Sequence, residues 1–169
     1  MFKKIALAAA ISAVAFSPAA NAGTATATMT VNATITGACT ISSSAILNFG
    51  SIVATNVAVT NGTGTLSVNC TTTLPYDISM DDGANTSGLG IHNRRMKDNA
   101  ATPNYLTYQI YTDVARSIVW GTVVGTDVLH GIGNGAAQPL TVYGTVIVQT
   151  TPPANVVPYA DTLTATITF

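Results

Sequence analysis

The stretch GTATATMTVNATIT, residues 23–36, alternates strictly between two kinds of side chain. Threonine or asparagine takes every second position, and small or apolar residues stand between them. This period of two predicts a β-strand with one buried face. Residues 24–36 would extend about 40 Å at ~3.3 Å per residue, whereas an ordinary strand has about 5–6 residues. The stretch is therefore long enough for two parts: an outer half that leaves its domain and an inner half that leads to Cys39.

The same alternation recurs in the rest of the chain. Clusters of glycine, proline or asparagine separate five further stretches of this kind, residues 65–71, 76–80, 105–113, 140–148 and 159–169. No window beyond residue 22 has the 3.6-residue period of an amphipathic helix. The pattern predicts an all-β fold, an antiparallel β-sandwich, formed as one domain over residues 37–169.

Residues 1–22 have the composition of a secretory signal peptide. Lys3 and Lys4 precede an apolar segment of about a dozen residues, and Ala20, Asn21 and Ala22 form a small-x-small cleavage site. A membrane-spanning helix needs ~20 apolar residues, which this segment does not provide. We expect export through the periplasm and cleavage after Ala22.

Charged residues are scarce, at 8% of the chain, and the formal net charge is −1. Such a surface lacks the basic footprint of nucleic-acid-binding proteins, so no nucleic acid partner is expected. It also leaves strand edges poorly guarded, which is easier to explain where neighbouring molecules cover them. Arg94, Arg95 and Lys97 form a basic cluster, expected to be solvated. The alternatives are pairing of one arginine with Asp81 or Asp82, a salt bridge between subunits, or contact with an anionic surface.

Cys39 and Cys70 are the two cysteines of the chain. In an exported protein they are most simply one disulfide, which closes a loop of 70 − 39 = 31 residues; a redox-active or metal-binding pair is the alternative. His92 and His130 have no third ligand at a metal-site spacing, so we expect no metal and no cofactor. No nucleophile and base occur in a catalytic pattern, so no catalytic residue is assigned and the protein is not expected to be an enzyme.

Both ends of the exported chain are alternating strands. The first could fold back beside the last and close its own sandwich. Alternatively, its outer half could leave the domain and fill the place of a missing strand in the next subunit. The unguarded edge of the last strand favours this second arrangement, because an unpaired edge aggregates. Such head-to-tail contacts build a fibre instead of closing into a dimer.

A series of motifs, in order along nearly the whole exported chain, resembles one known family. They are CTISSSAILNFG (39–50), LSVNC (66–70), PYDISMDDG (75–83), RRM (94–96), YLTYQIYTD (105–113), WG (120–121), GIGNG (131–135), LTVYGTV (140–146) and YADTLTATITF (159–169). The family is the spore coat protein U domain, which subunits of archaic, Csu-type chaperone–usher pili share. The resemblance implies an incomplete immunoglobulin-like sandwich that lacks its last strand, with a disulfide near the first strands. It also implies a periplasmic chaperone that lends a strand, and an outer-membrane usher that exchanges it for the next subunit's N-terminal extension.

Carried over to this sequence, the resemblance assigns residues 23–36 as a donor-strand extension that runs into the first strand, and residues 37–169 as the pilin domain. The implied function is a structural subunit of a surface pilus, or fimbria, that supports adhesion and biofilm formation. Its partners would be copies of itself or related subunits, joined head to tail. The alternative is a self-complemented secreted sandwich that coats a cell or spore surface or binds carbohydrate. The donor positions would be Ala25, Ala27, Met29, Val31 and Ala33, and the acceptor edge Leu163, Ala165, Ile167 and Phe169.

Overall fold

The computed structural model describes residues 22–52, 59–146 and 158–169. The predicted signal peptide lies outside the described residues except for Ala22, and the end of the predicted strand 140–148 lies outside them too. Within the described ranges the regular secondary structure is entirely β, as the alternation predicts. The strands are β1 (Cys39–Asn48), β2 (Thr60–Cys70), β3 (Pro75–Met80), β4 (Arg95–Lys97), β5 (Tyr105–Tyr111), β6 (Leu129–Ile132), β7 (Ala137–Val146) and β8 (Ala165–Thr168).

The chain divides into two compact units, residues 1–34 and 35–169. In the first unit, the described residues 22–34 have no regular secondary structure. The apolar side chains of Met29 and Val31 are 87% and 85% exposed. The first strand begins at Cys39, so the strand predicted for residues 23–36 is not formed here. Because the hydrogen bonds of a strand come from a neighbouring strand, an alternating pattern alone does not produce one.

The strands of the second unit form two sheets. In the described part of this unit, one sheet has five strands in the order β1-β2-β7-β5-β4 and the other has three in the order β6-β3-β8. All of the strand pairs are antiparallel. The longest ladder joins β2 to β7, from the pair Thr60 and Val146 to the pair Asn69 and Ala137. The two sheets are the layers of the predicted sandwich.

The hydrophobic core consists of the alternate side chains of the central strands. Each of these strands is rich in the β-branched and aromatic residues that suit a half-buried pleated surface. Trp120, from the segment that follows β5, is fully buried, and its indole Nε1 donates a 2.8 Å hydrogen bond to the carbonyl oxygen of Ile78. The alternation in residues 65–71, 76–80, 105–113 and 140–148 predicts one inward face for each strand. Leu140, on one of these faces, is half-buried. The other described apolar residues on them are buried: Leu66, Val68, Cys70, Tyr76, Ile78, Met80, Leu106, Tyr108, Ile110, Val142 and Val146.

Cys39 and Cys70 form the predicted disulfide. They are direct cross-strand partners in the ladder between β1 and β2, with their Cα atoms 4.1 Å apart. The bond therefore fixes the start of β1 to the end of β2. A crosslink that closes a loop of 31 residues stabilises a fold by about 3–4 kcal/mol on the chain-entropy estimate.

The basic cluster is not a solvated patch. The side chain of Arg94 is 0% exposed, and its guanidinium donates to the backbone oxygens of Met80, Asp81, Ile91 and Trp120 and to the side-chain oxygen of Gln109. Asp81 thus accepts through its carbonyl and not through its carboxylate. Burial lowers the pKa of Arg94 from its ordinary value.

The neighbours of Arg94 are placed differently. The guanidinium carbon of Arg95 lies 4.0 Å from the ring centroid of Tyr105, a cation–π contact, and Arg95 also donates to the backbone oxygens of Asn85 and Thr86. Lys97 is exposed at the end of β4. Only this last residue of the three fits the solvated patch that the sequence predicts.

Candidate functional site

Among the described residues the two sheets have four outer strands, β1, β4, β6 and β8, and two of them, β1 and β8, border one cavity. Within the described ranges, β1 pairs only with β2 and is the outer strand of the larger sheet, while β8 pairs only with β3 and is the outer strand of the smaller one. The two outer strands approach each other. Each therefore presents a row of main-chain donors and acceptors that no described strand occupies.

The inward side chains along β8 are less covered than those of the central strands. Leu163, Ala165 and Ile167 alternate with exposed threonines and pack against the core, but they are only half-buried. On β3, the neighbouring strand, Tyr76, Ile78 and Met80 are buried. The apolar face of the last strand thus lacks part of the cover that a complete sandwich would give it.

A cavity of about 500 Å³ opens between these two outer strands. It is about three times the ~150 Å³ cavity that can be engineered into an apolar core, so it has room for several side chains. The buried side chains of Leu66, Met80, Tyr108 and Val142 line it from the core. Its other lining residues include Ser43, Ala45, Leu47 and Phe49 of the first-strand region, and Tyr159, Asp161, Leu163 and Ala165 of the last.

A polar contact holds one end of the cavity. The hydroxyl of Tyr108 donates a 2.7 Å hydrogen bond to Oδ2 of Asp161, and the backbone N–H and side-chain amide of Asn85 donate to Oδ1 of the same carboxylate. Burial, together with the hydrogen bond to Asp161, raises the pKa of Tyr108 well above its ordinary value. The tyrosine therefore stays neutral and ties β5 to the segment that leads into β8.

That same segment is also fixed to the larger sheet. The backbone N–H and carbonyl of Ala160 exchange two 2.9 Å hydrogen bonds with Lys97 of β4, and the backbone N–H of Thr164 donates to the carboxylate of Asp81. The chain thus crosses from the β4 edge of one sheet to the β3 edge of the other. The cavity is bounded here by fixed backbone.

β1 borders the opposite side and is irregular. Its register with β2 shifts between Ser43 and Ala45 and again between Ala45 and Asn48, which are β-bulges that bend an edge strand. Beyond the bulges, Leu47 and Phe49 are half-buried against the core, and the rings of Phe49 and Tyr108 lie 6.2 Å apart.

Glycines on the adjacent strands make room for this bent strand. A Cβ atom on Gly64 would lie 2.9 Å from the backbone nitrogen of Leu47, and one on Gly62 would lie 2.6 Å from the carbonyl oxygen of Asn48. Gly144, the register partner of Gly62, meets the side chains of Leu47 and Phe49 in the same way. Side chains at these three positions would push β1 off the sheet, so the glycines shape the cavity from below.

The predicted acceptor residues are not all at the cavity. Leu163 and Ala165 line it, Ile167 packs against the core beyond it, and Phe169 is 56% exposed. The sequence did not predict that β1 lines the cavity, nor the contact between Tyr108 and Asp161. The bulges break the alternation of CTISSSAILN, and the partner of a buried tyrosine has no sequence signal. The predicted donor residues Ala25, Ala27, Met29, Val31 and Ala33 belong to the first unit and are all exposed there.

The described residues contain no group of three or more histidine, cysteine, aspartate or glutamate side chains that could hold a metal ion. His130 lies in β6 and contacts the carboxylate of its cross-strand neighbour Asp77. No helix in the part of the chain that the structure describes is long and apolar enough to cross a membrane.

Comparison with known proteins identifies the family. The Spore Coat Protein U domain matches residues 25–166. The chain is 45% identical over 175 residues to "Protein U" of Myxococcus xanthus, an alignment that covers 97% of this chain and 95% of that protein. This chain therefore belongs to the Spore Coat Protein U domain family.

The fold is also similar to a solved structure. It is the crystal structure of the CsuC-CsuE chaperone-tip adhesion subunit pre-assembly complex from archaic chaperone-usher Csu pili of Acinetobacter baumannii. The match has a TM-score of 0.54 at 23% identity and covers 80% of this chain but only 41% of that chain. The chain thus spans about two fifths of the length of the one it matches. The likeness confirms the predicted fold class, a pilin-like antiparallel β-sandwich.

Proposed function

We propose that this protein is a structural subunit of a surface pilus, assembled by donor-strand exchange. The observation that carries the proposal is the 500 Å³ cavity between two outer strands, in a chain whose residues 23–36 have the alternating pattern of one more strand. In the proposed assembly, that segment of one copy fills the cavity of the next. The role is structural, not enzymatic, and the fibre supports adhesion and biofilm formation.

The physical basis is strand addition. A donated strand would satisfy the open main-chain groups of β1 and β8, while its alternate side chains enter the cavity. Each apolar side chain that leaves water contributes roughly 25 cal/mol per Å² buried. The alanines of the donor segment bury little each, so hydrogen bonding along a long strand would supply much of the joint. Because donor and acceptor are different surfaces, each added copy leaves a new cavity open and the chain of subunits grows.

The proposal includes three further elements. A periplasmic chaperone would cover the cavity before assembly, since open strand edges and exposed apolar side chains aggregate. An outer-membrane usher would then exchange the chaperone for the next subunit. Export through the predicted signal peptide, residues 1–22, fits an oxidising compartment in which the Cys39–Cys70 disulfide persists. The similar solved structure supports the chaperone, since it is a complex of a chaperone and a tip adhesion subunit from chaperone-usher pili.

A second candidate is a self-complemented coat protein or carbohydrate-binding protein of a cell or spore surface. The observation in its favour is the family itself, together with the 45% identity to "Protein U" along nearly all of both chains. In that case residues 23–36 would complete the sandwich of their own chain. The secreted product would be a stable monomer that needs no chaperone.

Deleting residues 24–33 distinguishes the two candidates. We expect the truncated protein to fold in the presence of the chaperone but to form no heat-resistant polymers on a denaturing gel. Polymers in unchanged yield would contradict donation. A chaperone-independent wild-type monomer, destabilised by the deletion, would support self-complementation.

Point variants of the donor segment give a matched control. Met29→Asp or Val31→Asp would place an unpaired charge in the cavity, which costs several kcal/mol, and should abolish polymers. Thr30→Asp adds the same charge on the opposite face of the strand and should leave polymers intact. Equal polymer yield from Met29→Asp and Thr30→Asp would refute the assignment of the inward face.

A further inference from the structure

Each of the two outer strands contributes one alanine to the lining of the cavity. Ala45 of β1 and Ala165 of β8 each supply one methyl group, and Gly64 supplies none. The larger lining side chains Met80, Tyr108 and Val142 are already buried in the core. Leu47 of β1 and Leu163 line the same cavity with larger side chains, whereas the positions of Ala45 and Ala165 supply no side chain that could fill it.

The donor segment, residues 23–36, carries one long apolar side chain that could enter the cavity. Of the six small or apolar residues that alternate along residues 23–36, three are alanine, Val31 and Ile35 are β-branched, and Met29 has the one long, unbranched side chain. A methionine side chain is unbranched and flexible, so it fills irregular apolar space well. Its 87% exposure in the single chain leaves it available to a partner.

We infer that Met29 of one copy occupies the space between Ala45 and Ala165 of the next, and that this contact sets the register of the donated strand. The inference rests on the proposed function. A slip of one residue would turn the threonine face inward, and a slip of two would put Ala27 or Val31 where Met29 belongs. The alternation of the segment cannot distinguish two-residue slips, because every second residue is apolar; the unequal sizes of the side chains can.

A peptide-binding experiment tests the register. A fluorescent peptide of residues 23–36 is added to the monomeric fraction of the full exported chain, and its dissociation constant is measured by anisotropy. We expect Met29→Ala in the peptide to weaken binding by about ten- to a hundredfold, from the apolar area lost. Val31→Ala should weaken it several-fold less, and Thr30→Ala should change it little.

A variant of the acceptor supplies the reciprocal arm. Ala165→Met in the full chain fills the space. It should therefore weaken binding of the wild-type peptide by about tenfold or more and restore binding of the Met29→Ala peptide. Ala45→Leu should have the same effect from the other side. Unfolding of either variant would leave the peptide series on the wild-type chain to decide. The emission of Trp120, fully buried in the core, reports whether each variant is folded.

The outcomes separate the two proposals. Binding of the wild-type peptide with equal losses for Met29→Ala, Ala27→Gly and Val31→Ala would overturn the register while leaving donor-strand exchange intact. No binding of any peptide, the wild-type sequence included, would overturn donor-strand exchange and the register with it. A switch of preference in the Ala165→Met chain, from the wild-type peptide to the Met29→Ala peptide, would establish the contact.

Discussion

Replacing the buried Arg94 with methionine should strongly destabilise the domain. The guanidinium makes six hydrogen bonds, at 2.6–3.3 Å, to five acceptor oxygens. The bonds to Met80, Gln109 and Trp120 are buried. Methionine has a similar length and no donor, so these oxygens would lose their partner without gaining water.

The magnitude follows from the orphaned acceptors. Each buried acceptor left unsatisfied costs about 1–3 kcal/mol, and relief from burying a charge offsets part of the sum. We expect a net loss of about 3–5 kcal/mol, a large share of the 5–15 kcal/mol that stabilises an ordinary domain. Arg94→Lys should lose nearly as much, since an ammonium has three donors on one atom and cannot reach five acceptors arranged around a planar group.

Equilibrium unfolding in urea measures this loss. Trp120 is the single tryptophan of the chain and is fully buried, so its fluorescence follows global unfolding. With a slope of ~2 kcal/mol per molar urea, the midpoint of Arg94→Met should fall by about 2 M. Arg95→Met, which removes the partly exposed arginine next in the chain, should shift the midpoint by less than about 0.5 M. Equal midpoints for the two variants would show that the buried hydrogen bonds of Arg94 do not stabilise the domain as argued.

Three further predictions concern other contacts. The double variant Cys39→Ser and Cys70→Ser should lose about 3–4 kcal/mol of unfolding free energy in urea, and an unchanged midpoint would show that the crosslink does not constrain the unfolded chain. Tyr108→Phe removes the donor to the Asp161 carboxylate and should cost about 1–2 kcal/mol; no loss would mean that Asn85 alone holds that carboxylate. Hydrogen bonds from the backbone of Ile118, and from Ser117, lower the pKa of Asp113. The contribution of Asp113 to stability is therefore present above its unfolded pKa of ~3.9 and is lost as the pH falls through the lower folded pKa. An NMR titration of this carboxyl should have a midpoint below ~3.9. A midpoint at or above that value would contradict the role of these hydrogen bonds.

Much of the fold follows from local pattern. The alternation of Leu66, Val68 and Cys70 predicts which face of β2 is buried, because side chains of a strand point to opposite sides in turn. The same reasoning holds for Tyr76, Ile78 and Met80 on β3. The expectation of export favours a disulfide between the two cysteines over a redox-active or metal-binding pair. These features need only the sequence of one segment at a time.

Other features depend on contacts between residues that are far apart in the sequence. The carbonyl oxygens of Met80, the last residue of β3, and of Trp120 accept hydrogen bonds from Arg94 in the core, and no local pattern around Arg94 encodes those oxygens. The bulges of β1 depend on Gly62 and Gly64 of the neighbouring strand, whose missing side chains let β1 bend inward. The cavity was predictable only as an edge along residues 163–169; its other side needs the path of β1.

Residues 23–36 show that a strand pattern alone does not ensure a strand. Their pattern predicts a strand, yet the first strand of the structure starts at Cys39. Alternation specifies which face a strand would bury, whereas the partner supplies the hydrogen bonds that make it a strand. Residues 23–36 have the alternating pattern of a strand but no strand partner among the described residues of the single chain, as donation to another copy requires.

Crosslinking within assembled protein tests that account most directly. A photoreactive amino acid is placed at position 29, and equal amounts of this chain with natural nitrogen and of an unmodified chain labelled with nitrogen-15 are assembled together, irradiated and analysed by mass spectrometry. We predict crosslinked peptides that join the natural-nitrogen segment around position 29 to nitrogen-15-labelled residues near Ala45 and Ala165. Crosslinks confined to single chains, with no mixed-isotope peptides, would show that each sandwich completes itself.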